Sequence, residues 1–199
     1  MLKHPYSGNL IEAGCDEAGR GCLAGPLFAA AVILPRRYRN ERLRDSKKLN
    51  PKQRQVLREE IEKAALAWAV ASVGPGEIDE VNILNATFLA MHDAVSQLSI
   101  RPQFLLIDGN RFTPYPSIPH RCFIRGDDRF LAIAAASVLA KTHRDEHMAG
   151  LHSSFPLYGW DRNKGYPSKM HREAILRYGT TIHHRMSFNL VGQLKLELR

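Results

Sequence analysis

Leu10-Ile11-Glu12-Ala13-Gly14-Cys15-Asp16-Glu17-Ala18-Gly19-Arg20-Gly21 is the stretch on which the reading of the fold turns. Its first half alternates as a strand does. Leu10, Glu12, Gly14 and Asp16 share one face, and Ile11, Ala13 and Cys15 the other. The strand, read as Leu10 to Asp16, therefore ends on two acids and gives way to a glycine-rich turn. Glycine lets a backbone approach a ligand closely, because no Cβ intervenes. Gly19-Arg20-Gly21 can thus offer an N–H and a C=O to a hydroxyl that both donates and accepts, such as a ribose 2′-hydroxyl. The sequence alone favours a plain tight turn after a strand.

Further along, Leu27 to Leu34 is a continuous apolar run ending at Pro35, the pattern of a buried strand. Asn50-Pro51 reads as a helix start, with Asn as cap and Pro in the first turn. Val56, Leu57, Ile61, Ala64 and Ala65 give that helix an apolar stripe. Ala67 to Val73 reads as a strand, and Glu77 to Leu98 as a helix. Phe104 to Ile107 is a short strand running into Asp108-Gly109, and His120 to Ile124 is another. Arg129 to about Leu151 reads as a long Ala-rich helix. Pro156 to Lys169 looks like an exposed loop, and Trp160 within it reads, like Trp68, as a packing residue. His171 to Tyr178 is a short helix closed by Gly179, and Ser187 to Leu198 a terminal helix. Strands alternate with helices, so the class is α/β with a mixed sheet. One domain spans residues 1–199, with residues from about 155 to 199 as a helical appendage.

Three acidic positions lie at strand ends: Asp16-Glu17, Asp108 and Asp127-Asp128. Open α/β sheets gather function there. Carboxylates on neighbouring strand ends crowd one another, and like charges that close are costly unless a cation neutralises them. Mg²⁺ and Mn²⁺ take oxygen ligands of this kind. Each acid also has a bland role: a turn at Asp108-Gly109, a helix cap at Asp127 or Asp128, an ion pair of Glu17 with Arg20.

The chain has 199 residues, 28 Lys and Arg against 20 Asp and Glu, and a net charge of +8. Residues 100–199 hold most of the excess, at +7, and Arg36 to Arg58 is a second basic cluster. Such clusters suit a polyanion, whose counterions they release. Acids inside a basic surface point to metal-dependent chemistry on phosphodiesters. Three cysteines exclude a disulfide scaffold and suggest a reducing compartment. The first residues lack the apolar core of a secretory signal, and no apolar run approaches a membrane span, so a cytoplasmic protein is expected. No coiled-coil seam argues for assembly, so a monomer is expected. His143 and His147 stand four apart on a helix, but further zinc ligands are missing. His183-His184 beside Arg185 reads as a polar, phosphate-facing edge. Two other readings stay open: a basic nucleic-acid-binding protein without catalysis, and a metal-dependent phosphohydrolase of small molecules.

An ordered set of motifs resembles the ribonuclease HII family. It comprises Gly14-Cys15-Asp16-Glu17-Ala18-Gly19-Arg20-Gly21, Asp45-Ser46-Lys47-Lys48-Leu49, Glu77-Ile78-Asp79 with Asn82-Ile83-Leu84, and Leu106-Ile107-Asp108-Gly109-Asn110. Gly126-Asp127, Ala134 to Lys141 with Arg144-Asp145, Lys164-Gly165-Tyr166-Pro167 and His183 to Phe188 complete it. The resemblance implies a ribonuclease H-like mixed five-stranded sheet flanked by helices, with a small C-terminal helical extension. It implies an endonuclease that hydrolyses the RNA strand of RNA–DNA hybrids and cleaves 5′ of ribonucleotides embedded in duplex DNA, leaving 5′-phosphate and 3′-hydroxyl ends. Its implied ligands for two Mn²⁺ or Mg²⁺ ions are Asp16, Glu17, Asp108 and Asp127. Gly19, Arg20 and Gly21 would read the 2′-hydroxyl, Tyr166 the sugar at the RNA-to-DNA junction, and Lys47, Lys141 and Arg144 phosphates. Cys15 and Cys22 stand where many members have Val and Pro.

Overall fold

The computed structural model describes residues 2–43 and 49–192. Five strands form one sheet: β1 (Glu12–Ala18), β2 (Leu27–Ile33), β3 (Ala67–Val73), β4 (Phe104–Asp108) and β5 (His120–Phe123). Their order is β3-β2-β1-β4-β5. β1 pairs antiparallel with β2, and β2 with β3, whereas β1–β4 and β4–β5 are parallel. Five α-helices accompany them among the described residues: α1 (Pro51–Ala64), α2 (Pro75–Ser96), α3 (Leu131–Ser154), α4 (Trp160–Asn163) and α5 (Lys169–Tyr178). The mixed five-stranded sheet flanked by helices is the fold expected from the sequence.

Period-two alternation decides the layers. Ala13 and Cys15 of β1, and Leu27, Ala29, Ala31 and Ile33 of β2, pack toward Ala86, Ala90 and Met91 of α2. Ala18, Ala30 and Val32 face the other way, onto Leu57 and Ile61 of α1 and the alanines of α3. A Cβ on Gly14 would lie 2.2 Å from the main chain of Ala132. β1 and α3 therefore touch backbone to backbone, and α3 is held directly under the strand that carries the acids.

Several local expectations need correction. β1 starts and ends two residues later than the alternation suggests. Its ladder with β2 continues through Asp16↔Ala30, Glu17↔Ala29 and Ala18↔Phe28, so the acids sit within the strand. Asn50 caps α1 through Gln53 as expected, but Val56 is 48% exposed and only Leu57 and Ile61 of the stripe are buried. Neither Asp127 nor Asp128 caps α3. Both lie in a 3-10 turn, Gly126–Asp128, and the cap position is Phe130. α2 is two helices joined at Asn82, whose φ of 67° breaks the run. The Asn82 side chain then accepts from the N–H groups of Leu84 and Asn85, which starts the second helix. Trp160 packs as its sequence reading expects, wholly buried against Tyr158 and Phe155, so it is only the exposed look of its loop that is corrected. The terminal helix is absent where the chain is described: Ser187 to Gly192 is turns and bends.

One acid of β1 is structural. Glu12 is buried, and its carboxylate accepts from the Tyr6 and Ser7 N–H groups and from the Ser7 hydroxyl at 2.7–2.9 Å. His4 Nδ1 stands 3.4 Å away. Burial alone would raise its pKa, but the bonds from His4, Ser7 and Tyr6 outweigh it and bring the value from 4.5 down to about 2. The carboxylate thus contributes stability in full above pH ~4.5, and this is lost as the pH falls through about 2. Glu12→Gln is expected to cost roughly 2–3 kcal/mol at pH 7. The gap to the parent in urea midpoint should close below about pH 2. An equal gap at pH 7 and pH 2 would refute the assignment.

Candidate active site

The parallel ladder of β1 and β4 runs to Cys15↔Ile107, and the next residue on each strand is an acid, Asp16 and Asp108. The fold thus sets two carboxylates side by side, Asp108 at the C-terminal end of β4 and Asp16 two residues before the end of β1. Asp16 is buried, and its Oδ1 accepts from the Glu17 N–H at 2.8 Å. Burial first, then the charges of Glu17 and Asp108, push its carboxyl well above the ordinary range, against a hydrogen bond from Ser137 of α3. Glu17 is raised too, by burial and by Asp108, with Arg20 opposing at 3.3 Å. Asp108 accepts from the Gly126 N–H at 2.6 Å. That bond ties the Gly126–Asp128 turn to β4. A Cβ on Gly126 would lie 2.5 Å from the end of the Ile133 side chain and 3.2 Å from Asp108 Oδ1, so a larger residue there would have to push both aside. Asp127 is buried beside it, whereas Asp128 points to solvent.

Among the described residues, no three His, Cys, Asp or Glu side chains form a ready-made metal cage. The donor chemistry nonetheless fits a dication. Asp16, Glu17 and Asp108 are hard oxygen donors, and their mutual repulsion is what a divalent cation relieves.

A cleft of about 410 Å³ opens beside Glu17, walled by Gly19, Arg20, Gly21, Lys141 and Tyr166. Five residues that the motifs scatter from Gly19 to Tyr166 therefore meet in one groove. The Tyr166 ring lies 5.8 Å from Lys141 Nζ, and Lys141 also pairs with Asp145 at 2.5 Å. Arg54 of α1 and Ser137 line the same cleft. Sequence reading did not single out either of them. Lys47 lies outside the described residues. Arg144 is not placed to touch a phosphate: it is fully buried, and its guanidinium donates to the carbonyls of Pro26, Lys164 and Ala24. The His183–Arg185 edge is also largely interior. His184 packs on Tyr158 and Trp160, burial brings its pKa down to about 4, and Arg185 is fully buried. His143 bonds Glu62 and packs on Trp68, and His147 packs on Phe28. Cys15 is buried, and burial with the Asp16 charge pushes its thiol up to about 12, which leaves no thiolate nucleophile there.

Residues 13–191 match the family model described as Ribonuclease HII. The chain belongs to the ribonuclease HII family. It is 65% identical over 198 residues to a ribonuclease HII of Bacteroides thetaiotaomicron, covering 100% of this chain and 99% of that one. Among solved structures it is similar to the ribonuclease H2 of Pyrococcus horikoshii OT3, with a TM-score of 0.76, 27% identity, and coverage of 94% and 98% of the two chains. It is also similar to the RNase HII in the PCNA:RNase HII complex of Archaeoglobus fulgidus, with a TM-score of 0.74, 26% identity, and coverage of 90% and 96%. As a ribonuclease HII, the protein is an endonuclease that hydrolyses RNA strands. A non-catalytic basic binding protein finds no support beside this. No helix among the described residues is long and apolar enough to cross a membrane.

Proposed function

We propose that this ribonuclease HII cleaves the RNA strand of RNA–DNA hybrids and the 5′ side of single ribonucleotides embedded in duplex DNA, leaving 5′-phosphate and 3′-hydroxyl ends. The observation that carries this is the Asp16 carboxyl, buried and crowded by Asp108 and by Glu17, the acid that lines the Gly19–Tyr166 cleft. Asp16, Glu17, Asp108 and Asp127 would hold two Mn²⁺ or Mg²⁺ ions. Bound there, the ions would activate the attacking water and stabilise the leaving oxygen. The chain's own groups do the rest. Ser137 orients Asp16, Gly126 orients Asp108, and Arg20 restrains Glu17. Gly19, Arg20 and Gly21 offer main-chain groups to the 2′-hydroxyl. The 41% exposed Tyr166 meets the sugar at the junction, and Lys141 and Arg54 attract phosphates. On this reading the protein acts as a monomer in the cytoplasm, in the removal of misincorporated ribonucleotides.

A gel assay on a DNA duplex holding one ribonucleotide tests the reading. Cutting 5′ of the ribonucleotide, abolished by EDTA, is expected, and an uncut duplex under conditions that cut a long hybrid would refute it. Tyr166→Ala should reduce cleavage at the isolated ribonucleotide about tenfold more than on a long hybrid, the worth of ~1.4 kcal/mol of lost sugar contact. Equal losses on both substrates would remove Tyr166 from junction reading.

A further inference from the structure

Two sequence motifs have no part in the chemistry above: Glu77-Ile78-Asp79 and the segment from His183 to Phe188. The fold brings them together behind the Gly19–Gly21 turn. Asp79 accepts from the Met186 N–H at 2.8 Å and the Ser187 N–H at 3.0 Å, and from the Ser187 hydroxyl at 2.5 Å. This fixes the chain on the C-terminal side of Arg185. On its other flank, the Arg185 N–H donates to the Leu23 carbonyl at 2.9 Å, and the Gly25 N–H to the His183 carbonyl at 2.8 Å. The Arg185 guanidinium then donates through Nε and Nη2 to the Gly25 carbonyl, and through Nη1 to the Arg20 carbonyl at 3.0 Å.

The last bond matters most. In a trans peptide the C=O and the following N–H point in opposite directions. Holding the Arg20 carbonyl inward on Arg185 therefore turns the Gly21 N–H outward. A Cβ on Gly21 would meet nothing within 4 Å, and Gly21 lines the cleft, so the protein leaves the surroundings of this residue open. Gly19 is different. Its φ is 94°, and a Cβ there would lie 2.1 Å from Arg144 Nε. Gly19 thus makes room for the protein, and Gly21 leaves room for a ligand.

We infer that Arg185, aimed by Asp79 and Ser187, is a positioning residue that orients the Arg20–Gly21 peptide and so sets the preference for a ribose over a deoxyribose. The inference rests on the 2′-hydroxyl reading of the turn proposed above. Arg144 completes the arrangement by joining the Pro26 and Ala24 carbonyls to that of Lys164, at the base of the Tyr166 turn. All of the bonds named here from the two guanidinium groups run to main-chain carbonyls. A buried cation is a costly way to fill a core. What a guanidinium adds is a rigid planar fork that holds several acceptors at once, which a lysine ammonium does not provide. Arg185 retains its charge at neutral pH, since burial lowers its pKa only to about 10.

The test compares the parent, Arg185→Lys and Asp79→Ala, each with and without Asp108→Asn to stop cleavage. Two quantities are measured: the affinity for a duplex with one ribonucleotide relative to the same duplex with a deoxyribonucleotide there, and the NMR order parameter of the Gly21 amide. Arg185→Lys keeps the charge and loses the fork. It is expected to lower the ribose preference about tenfold, and to take the Gly21 order parameter from about 0.85 to below about 0.6. Asp79→Ala leaves the guanidinium in place and should act in the same direction more weakly, so it decides the matter if Arg185→Lys does not fold. A folded variant that retains both the preference and a rigid Gly21 amide overturns the inference. If the parent itself shows no ribose preference, the 2′-hydroxyl reading fails, and with it the specificity claim. The order parameter then still decides whether Arg185 orders the turn.

Discussion

Asp16→Asn is expected to remove at least about three orders of magnitude of hydrolysis on an RNA–DNA hybrid, the worth of several kcal/mol of lost electrostatic stabilisation. Hybrid affinity should stay within about threefold, because phosphate contacts on the basic surface supply it. The same change should raise the melting temperature in EDTA. The parent site forces a buried carboxylate against Glu17 and Asp108, and the amide removes one charge from that crowd without changing its shape. Gel assays with Mn²⁺ and thermal melts check both halves. Retained hydrolysis would remove Asp16 from the centre. A lowered melting temperature would show that its charge is satisfied in the fold and not held in opposition.

Gly14→Ala is expected to be the most destabilising single methyl in the sheet. The added Cβ would lie 2.2 Å from the Ala132 carbonyl carbon and 2.4 Å from the Ile133 nitrogen. Both are helix main chain, with no side-chain end that can swing aside. Relief requires β1 and α3 to separate, which opens the core between them. The cost should reach about 3 kcal/mol, the upper part of the range for overpacked cores. For a chain of this size that is a fall of roughly 6–12 °C in Tm. Activity should fall as well, since α3 carries Ser137 and Lys141 into the cleft. A Tm within about 2 °C of the parent would mean that the two elements slide apart freely.

Much of the architecture was legible along the chain. The sequence places β3 to the residue and β2 and β4 to within one, because their apolar runs are closed by Pro35, Gly74 and Asp108; β5 is also placed to within one residue. The Asn50 cap was legible because its signal is local. Errors arose where distant partners decide. β1 extends through its acids because β2 supplies a ladder as far as Phe28. Val56 stays outside because the neighbours of α1 cover only Leu57 and Ile61. Trp160 is legible as a packing residue, but only the structure shows its partners, among them His171, to which its indole N–H donates.

Arg144 and Arg185 teach the same lesson most clearly. The family resemblance implies a phosphate contact for Arg144, and the sequence puts Arg185 on a polar, phosphate-facing edge. Their acceptors lie 118 to 165 residues away in Pro26, Gly25 and Arg20, or 20 residues on in Lys164. Nothing in their immediate neighbours announces that burial. The choice of Asp127 over Asp128 also rested on a motif, and the structure adds burial of the first and exposure of the second.

The chain by itself determined which residues can do chemistry and the local periods that make strands and helices, because side-chain type and two- or 3.6-residue spacing are properties of neighbours in sequence. Tertiary structure alone decided which acids crowd together, which arginines lie inside, and which way the Gly21 amide turns. Those depend on distances between segments remote in sequence, and only packing sets them.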